Sequence, residues 1–156
     1  MLALFNILGD INGAKFLDLF AGTGHVGLAA LERGAESCVF VESVKQRGEE
    51  IKNKIPDNSL VLSLEVRRAI AWLAKREKKF NIIFADPPYN SGWCDSLPAL
   101  QNLNKLFEND EAIFIIEHST REPLTLKNNP HDFKIFSQRE YGETCLSFLK
   151  KYSKST

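Results

Sequence analysis

The sequence has little cysteine, no formal net charge and no long apolar run, and each shortage excludes a class of protein. Its three cysteines lie far apart in 156 residues and form no C-x-x-C pair. This argues against a disulfide framework or a zinc cluster, and for a reducing compartment. No apolar run approaches the roughly 20 residues that cross a bilayer, and the N-terminus lacks the features of a secretory signal. We therefore expect a cytoplasmic protein with no membrane partner and no metal.

The 20 basic and 20 acidic side chains cancel, so any nucleic-acid partner must be held by local patches rather than by a global basic field. The hydrophobic content of 44% and the charged content of 26% are those of an ordinary globular domain. A chain of this length can bury roughly 68–70% of the surface that its unfolded form exposes. We expect a single domain over residues 1–156, and a monomer.

Apolar runs alternate with helical patterns along most of the chain. The predicted strands cover residues 14–19, 37–41, 60–64, 80–85 and 112–116, and the predicted helices cover 26–33, 44–54, 67–75 and 95–106. This alternation favours a Rossmann-like α/β fold with an open, doubly wound, mostly parallel sheet. Alternating residues at 131–138 and 144–149, around a turn at Tyr141-Gly142, predict a C-terminal antiparallel hairpin that completes seven strands.

A glycine loop, DLFAGTG at residues 18–24, follows the first strand directly. Such turns let the backbone approach a ligand closely, at the sheet edge where these folds bind nucleotides. Gly22, Gly24 and Gly27 form G-x-G-x-x-G, and Glu42 ends the second strand where an acidic residue meets a ribose hydroxyl. A dinucleotide site and a tight turn without a ligand are both possible interpretations. Asp18 favours S-adenosylmethionine, because a carboxylate would repel a pyrophosphate but attract a sulfonium.

A second motif, Asp86-Pro87-Pro88-Tyr89, follows the fourth strand. Two consecutive prolines fix φ at about −65° and remove two amide donors, so the turn exposes rigid carbonyl acceptors. The Asp86 carboxylate and a neighbouring carbonyl can accept both hydrogens of a planar amino group, which points the nitrogen lone pair at an electrophile. Tyr89 offers an aromatic face to a base drawn from its stack. The alternative is a stiff loop in which Asp86 caps the next helix.

The two motifs, in their order and spacing, resemble the class I S-adenosylmethionine-dependent amino-methyltransferases. Four stretches are more closely similar to the bacterial 16S ribosomal RNA guanine methyltransferase family: LFNIL at 4–8, DLFAGTGHVGLAAL at 18–31, FVE at 40–42 and DPPY at 86–89. The resemblance implies methyl transfer from S-adenosylmethionine, leaving S-adenosylhomocysteine, to the 2-amino group of a guanine. It also implies ribosomal RNA or the small ribosomal subunit as the partner.

The resemblance further implies a role for each motif residue. The methionine end of the donor would be lined by Asp18, Phe20, Gly22 and Gly24, and its ribose hydroxyls would meet Glu42. The target base would be held by Asp86, Pro87 and Tyr89, with Pro88 shaping the turn.

The sequence departs from the family pattern in two places. Where the family has an Asp-Ala pair opening the helix after the third strand, next to the donor's adenine, this chain has Arg68-Ala69. The departure puts adenine recognition by that side chain in question, although the Ala69 backbone is still available for it. Family members also begin with a basic N-terminal arm ahead of the LFNIL helix, and this chain is expected to lack it.

Other functions stay open at the level of sequence. An adenine-specific DNA methyltransferase would use the same DPPY chemistry, but it normally carries an extra target-recognition segment. A nicotinamide-dependent oxidoreductase would share only the glycine loop, and a non-catalytic RNA-binding remnant would fit the departures. Among residues near the motifs, Trp93 is expected to flank the pocket, while Glu117 and His118 either border it or serve as caps.

Overall fold

The computed structural model describes residues 2–152 of the chain. Within this range the strands are β1 (Lys15–Leu19), β2 (Ser37–Val41), β3 (Leu60–Leu62), β4 (Ile82–Ala85), β5 (Ile113–Ser119), β6 (Phe133–Tyr141) and β7 (Thr144–Lys151). The helices are α1 (Leu4–Leu8), α2 (His25–Glu32), α3 (Lys45–Lys52), α4 (Val66–Lys75) and α5 (Trp93–Ser96), followed by 3₁₀ turns at Leu97–Ala99 and Leu103–Leu106.

All of these strands form one sheet in the order β3-β2-β1-β4-β5-β7-β6. The first five strands in the chain pair in parallel, whereas β7 is antiparallel to both β5 and β6. The predicted doubly wound, mostly parallel seven-stranded sheet with a C-terminal hairpin is therefore confirmed. Parallel pairing brings the carboxyl ends of β1, β2, β3 and β4 to one edge of the sheet, where ligands bind in such folds.

Apolar side chains cover both faces of the sheet, as expected for parallel strands buried between helices. All four residues of β4 are buried. On one face, α4 packs a stripe of Val66, Ala69, Ile70 and Leu73 against the strands, which is the spacing of an amphipathic helix. On the other face, α1 and α2 cover a second apolar cluster. Within residues 2–152 no helix is both long and apolar enough to span a membrane.

The predicted helix at residues 95–106 and the predicted position of the hairpin turn are wrong, and several strand ends differ from the prediction by a few residues. The helix expected at residues 95–106 is a single turn of α5 followed by two 3₁₀ turns, because Pro98 lacks an amide hydrogen and Asn102 takes a left-handed φ of 72°. The hairpin turn lies at Gly142-Glu143, since Tyr141 still pairs with Thr144. Gly142 adopts the positive φ of 62° that this turn needs.

Candidate active site

An open cavity of about 500 Å³ lies at the carboxyl ends of β1 to β4, a size typical of small-molecule sites, which span about 300–1,000 Å³. It is lined by Phe20, Gly22, Val41, Glu42, Ser43, Val44, Arg47, Glu65, Val66, Asp86, Pro88 and Trp93. The glycine loop and the Asp-Pro-Pro-Tyr turn therefore share one cavity, and Phe20, Gly22, Glu42, Asp86 and Pro88 from the predicted set line it together. We call it the donor cavity.

The glycine loop takes a backbone path that few other residues could follow. Phe20, Gly22 and Gly24 have φ values of 59°, 60° and 82°, all in the left-handed region, where glycine is at no steric disadvantage. A Cβ atom at Gly22 would have no neighbour within 4 Å, so its Cα faces open space in the donor cavity. Phe20 bears the strain of a non-glycine residue at positive φ, which is commonly stored at functional sites.

Glu42 anchors the loop from the end of β2. Its Oε1 accepts a hydrogen bond from the Gly22 amide at 2.8 Å, and its Oε2 accepts one from the Val44 amide, also at 2.8 Å. The side chain is only 6% exposed, yet it lines the donor cavity. Each carboxylate oxygen has further acceptor capacity, so Glu42 can hold the loop and still accept the hydroxyl hydrogens of a ribose.

Asp18 lies at the end of β1, behind the loop. Its side chain is 1% exposed and does not line the donor cavity; its Oδ2 accepts a hydrogen bond from the Gly27 amide at 3.1 Å. Burial raises the pKa of Asp18 to about 8, opposed by that hydrogen bond and assisted by the charges of Asp86 and Glu42. Asp18 therefore fixes the start of α2 to β1, and its predicted contact with the donor stays a prediction, as does that of Gly24.

The Asp-Pro-Pro-Tyr turn follows β4, and its first and last side chains lie in different surroundings. Asp86 is half-buried and lines the donor cavity, whereas Tyr89 is 57% exposed. The turn is braced by the Asn90 amide, which donates to Glu122 Oε1 at 2.7 Å, and by Ser91 Oγ, which donates to the Pro88 carbonyl at 2.5 Å. The ring of Tyr89 is thus exposed to solvent in the same braced turn that carries the Asp86 carboxylate.

An aromatic wall closes one side of the donor cavity. The rings of Phe20 and Trp93 meet edge to face with centroids 5.1 Å apart, and the Arg67 guanidinium stacks on Trp93 at 4.3 Å. Trp93 lines the cavity, as expected from its position behind the Asp-Pro-Pro-Tyr turn. An edge-to-face pair of this kind suits the flat face of a purine.

The start of α4 is the region where the sequence predicts the adenine contact. Glu65 caps this helix by accepting the Arg67 amide at 2.9 Å, and Glu65 and Val66 line the donor cavity. Arg68 is exposed and Ala69 is buried, and the Ala69 amide already donates to the Glu65 carbonyl at 2.9 Å. The helix itself uses the Ala69 amide, and the predicted backbone contact of Ala69 with adenine stays a prediction.

A carboxyl pair lies beside the donor cavity, where Asp86 follows β4 and Glu117 lies near the end of β5. Ala85 pairs with Ile116, so the residues that follow them, Asp86 and Glu117, are neighbours whose carboxyl groups lie close enough to influence each other's pKa. Burial and the Asp86 charge raise the pKa of Glu117 to about 7. Burial also raises the pKa of Asp86, opposed by the Glu117 contact and by His25.

His118, by contrast, has a structural role. It is buried, and its Nδ1 lies 2.9 Å from the Glu122 carbonyl oxygen, while Nε2 accepts the Ser147 hydroxyl at 2.7 Å. Of the two residues that the sequence left open, only Glu117 contacts the site. Sequence reasoning did not single out Ser43, Val44, Arg47, Glu65 or Val66 as lining residues; they follow β2 and β3, and that position is the only signal the sequence offers.

The class of protein follows from this arrangement. A Rossmann-like seven-stranded sheet with a closing hairpin carries a glycine loop, a buried glutamate after β2 and an Asp-Pro-Pro-Tyr turn around one cavity. These features define an S-adenosylmethionine-dependent methyltransferase.

Comparisons with known proteins agree with this class. The chain belongs to the family described as Conserved hypothetical protein 95, which matches residues 2–150. It is 33% identical over 155 residues to YlbH of Bacillus subtilis (strain 168), covering 96% of this chain and 83% of that protein. It is 32% identical over 154 residues to ribosomal RNA small subunit methyltransferase D of Escherichia coli (strain K12), covering 95% and 74%. The solved structure of yhhF from Escherichia coli superposes with a TM-score of 0.78 at 25% identity, covering 96% of this chain and 82% of that one.

Proposed function

We propose that this protein transfers a methyl group from S-adenosylmethionine to the exocyclic 2-amino group of a guanine in small-subunit ribosomal RNA. One observation carries the proposal: Asp86 and Pro88 line the same cavity as Gly22 and Glu42. The amino-holding turn and the donor-holding loop are therefore adjacent, as a direct transfer between two bound molecules requires. The name of the Escherichia coli relative, a ribosomal RNA small subunit methyltransferase, supports RNA as the substrate.

The residues of the donor cavity fit the donor. The open space at Gly22 admits a close backbone approach, Glu42 can accept ribose hydroxyls, and the Phe20–Trp93 wall suits an adenine ring. The cavity carries several carboxyl groups and the donor carries a sulfonium, so their attraction in a partly desolvated site favours binding. When bound, the donor supplies an electrophilic methyl group.

The Asp-Pro-Pro-Tyr turn supplies position rather than a nucleophile. The Asp86 carboxylate and the Pro87 carbonyl would each accept one hydrogen of the amino group, which turns the nitrogen lone pair toward the donor cavity. Aromatic amines are weak nucleophiles, so alignment is the main contribution that these residues can make. Tyr89 is exposed and can stack on the base once it leaves its neighbours.

The proposal is tested by replacing Asp86. We expect Asp86→Ala to reduce methyl transfer to small-subunit particles from cells lacking the modification by about 100-fold or more, because misalignment of the reacting groups costs about that much. Asp86→Asn keeps one acceptor oxygen and should lose less. Transfer is measured with tritiated donor, and nuclease digestion with mass spectrometry identifies the product nucleoside.

Two controls make the result specific. Binding of S-adenosylhomocysteine, measured by calorimetry, should stay within about twofold in Asp86→Ala, since the loop and Glu42 are intact. Glu140→Ala removes an exposed carboxylate of β6 and should leave transfer unchanged. Full activity in Asp86→Ala would refute the role of Asp86, and a product other than N2-methylguanosine would refute the guanine target.

The alternative functions lose support at this site. The nicotinamide oxidoreductase interpretation explained only the glycine loop, whereas the Asp-Pro-Pro-Tyr turn lines the same cavity. The adenine-specific DNA methyltransferase interpretation shares the turn, but the comparisons point to ribosomal RNA enzymes. Parallel assays on DNA and on ribosomal particles separate the two substrates directly.

A further inference from the structure

A second cavity lies next to Asp86, on the face of the sheet that α1 and α2 cover. It measures about 220 Å³ and is lined by Leu2, Ala3, Leu4, His25, Val26, Glu117, Tyr141, Thr144 and Leu146. The start of α1, the start of α2, the end of β5 and the tip of the β6–β7 hairpin therefore meet around it. Its volume is below the roughly 300–1,000 Å³ of sites that enclose a whole ligand, which suits part of a base better than a nucleotide.

Asp86 lies between the two cavities. It lines the donor cavity, and its carboxyl group contacts that of Glu117, which lines the second cavity. His25 stands at the second cavity and is close enough for its charge to act on Asp86. An amino group held by Asp86 would therefore have the rest of its base directed toward Glu117.

The approach to the second cavity runs past the exposed tyrosine of the turn. Thr144 lines the second cavity and also the neighbouring surface cleft, of about 380 Å³, that contains Tyr89. The cleft and the second cavity thus adjoin, and a base stacked on Tyr89 can extend its edge inward. The side chain that β5 contributes to the lining of the second cavity is Glu117.

We propose that Glu117 is a specificity-determining residue, whose carboxylate accepts the N1–H of the target guanine while Asp86 holds the adjacent 2-amino group. The inference rests on the proposed function and names the group that selects guanine. Guanine carries a hydrogen on N1 next to its amino group, whereas adenine has a lone pair there. An ionised carboxylate attracts the first and repels the second, so the Asp86–Glu117 pair matches the two neighbouring donors of guanine alone.

The protonation state of the Asp86–Glu117 pair allows Glu117 to accept the N1–H of guanine. Burial and the Asp86 charge raise the pKa of Glu117 to about 7, so the carboxyl is ionised in part of the molecules near neutral pH, and in the others its proton must pass to solvent before Glu117 accepts the N1–H. The N1–H and amino donors of guanine then serve as partners for the two carboxylates. Other titratable groups that act on Asp86 include His25 on α2 and Asp18 on β1.

The experiment compares guanine with 2-aminopurine, which lacks both the N1 hydrogen and the O6 oxygen, so variants of Glu117 are needed to assign any difference to N1. Once the methylated nucleotide is mapped, small-subunit RNA is made by splinted ligation with either guanosine or 2-aminopurine riboside at that position and reconstituted into particles. 2-Aminopurine keeps the 2-amino group, but its N1 is an acceptor. The wild-type enzyme should methylate the guanosine particle about 10- to 100-fold faster, the effect of one hydrogen bond to a charged group.

Variants of Glu117 then test whether this residue causes the preference for guanosine over 2-aminopurine. Glu117→Ala should lose about the same factor on guanosine and show no further loss on 2-aminopurine, because the residue and the N1 hydrogen act as one interaction. Glu117→Gln keeps an acceptor oxygen and should retain part of the preference. Glu140→Ala, an exposed carboxylate on β6, should behave as wild type, and unchanged binding of S-adenosylhomocysteine verifies that each variant is folded.

The outcomes separate the inference from the proposed function. If the wild type methylates both particles equally, or if Glu117→Ala keeps the wild-type preference, Glu117 does not read N1 and the inference is overturned while the proposed function stands. If the wild type does not methylate the guanosine particle, both the proposed function and the inference fail. A preference that disappears in Glu117→Ala supports both.

Discussion

Burial determines the protonation state of the Asp18 carboxyl group. The side chain is 1% exposed and its one backbone hydrogen bond does not compensate for lost hydration, so its pKa rises to about 8. At neutral pH the free protein therefore keeps Asp18 mostly protonated. A bound cation would favour the ionised form, which couples the charge of Asp18 to occupancy of the neighbouring donor cavity.

Asp18→Asn tests this assignment through stability. The folded-state pKa is raised above the unfolded value of about 3.9, so the carboxyl contributes stability below about pH 4 that is lost as pH rises toward 8. Asparagine keeps a carbonyl acceptor for the Gly27 amide and cannot ionise. The variant should match the wild type near pH 4 and exceed it above pH 8 by an amount on the order of a few kcal/mol.

Urea unfolding at pH 4.5 and pH 9, roughly either side of the shifted range, measures this difference. Asp110→Asn, at an exposed position, is the matched control and should change little at either pH. An Asp18→Asn variant whose stability relative to wild type is the same at both pH values would show that Asp18 is ionised throughout.

At the scale of elements, α2 is positioned by one glycine. A Cβ atom at Gly27 would lie 2.3 Å from Phe40 Cε2 and 2.7 Å from Cys38 Sγ, both on β2. The third glycine of the loop motif therefore has a packing role: it lets α2 lie close to the sheet, so that its first amides reach Asp18 and the glycine loop. The ligand-facing and packing glycines of the motif are distinct residues.

Gly27→Ala should destabilise the protein by about 1–3 kcal/mol, because overpacking a buried contact costs more than alanine gains in helix propensity. Gly48→Ala in α3 is the matched control. The added methyl there meets Ser63 Oγ at 2.6 Å, a small hydroxyl that can rotate away, so this change should be neutral or stabilising. Denaturant midpoints of the two variants measure the contrast, and equal midpoints would contradict the packing role of Gly27.

The elements that the sequence predicts well are those whose own residues determine them. Buried parallel strands such as β4 are continuous apolar runs, and both motifs follow strands whose carboxyl ends must share an edge, so their meeting was predictable. The segment 93–106 was not, because Pro98 and Asn102 interrupt an apolar pattern that otherwise fits a helix. Glu65 was not singled out, and Glu117 was left between bordering the pocket and capping, because tertiary packing, rather than local spacing, brings them to the site.

At the scale of the whole molecule, the neutral chain concentrates negative charge at one edge. Asp18, Glu42, Asp86 and Glu117 lie at the carboxyl ends of four strands that are adjacent in the sheet, β2, β1, β4 and β5. Because Asp18 is mostly protonated and Glu117 partly so at neutral pH, the local acidic field comes mainly from Glu42 and the Asp86–Glu117 pair, and it attracts a cationic donor and opposes an anionic dinucleotide. A glycine loop alone allows either S-adenosylmethionine or a dinucleotide. The electrostatic field of the assembled sheet favours the first over the second.

The last prediction contrasts a ligand of the donor cavity that carries no phosphate with one whose pyrophosphate the acidic field opposes. A ligand that binds only the folded state stabilises it by about 2.7 kcal/mol when present at 100 times its dissociation constant. S-adenosylhomocysteine at saturating concentration should raise the unfolding temperature, by roughly 5 °C or more for a domain of this size, whereas NAD at the same concentration should leave it unchanged. Thermal unfolding followed by circular dichroism measures both, and a comparable rise with NAD would mean that the edge accepts a pyrophosphate despite its carboxylates.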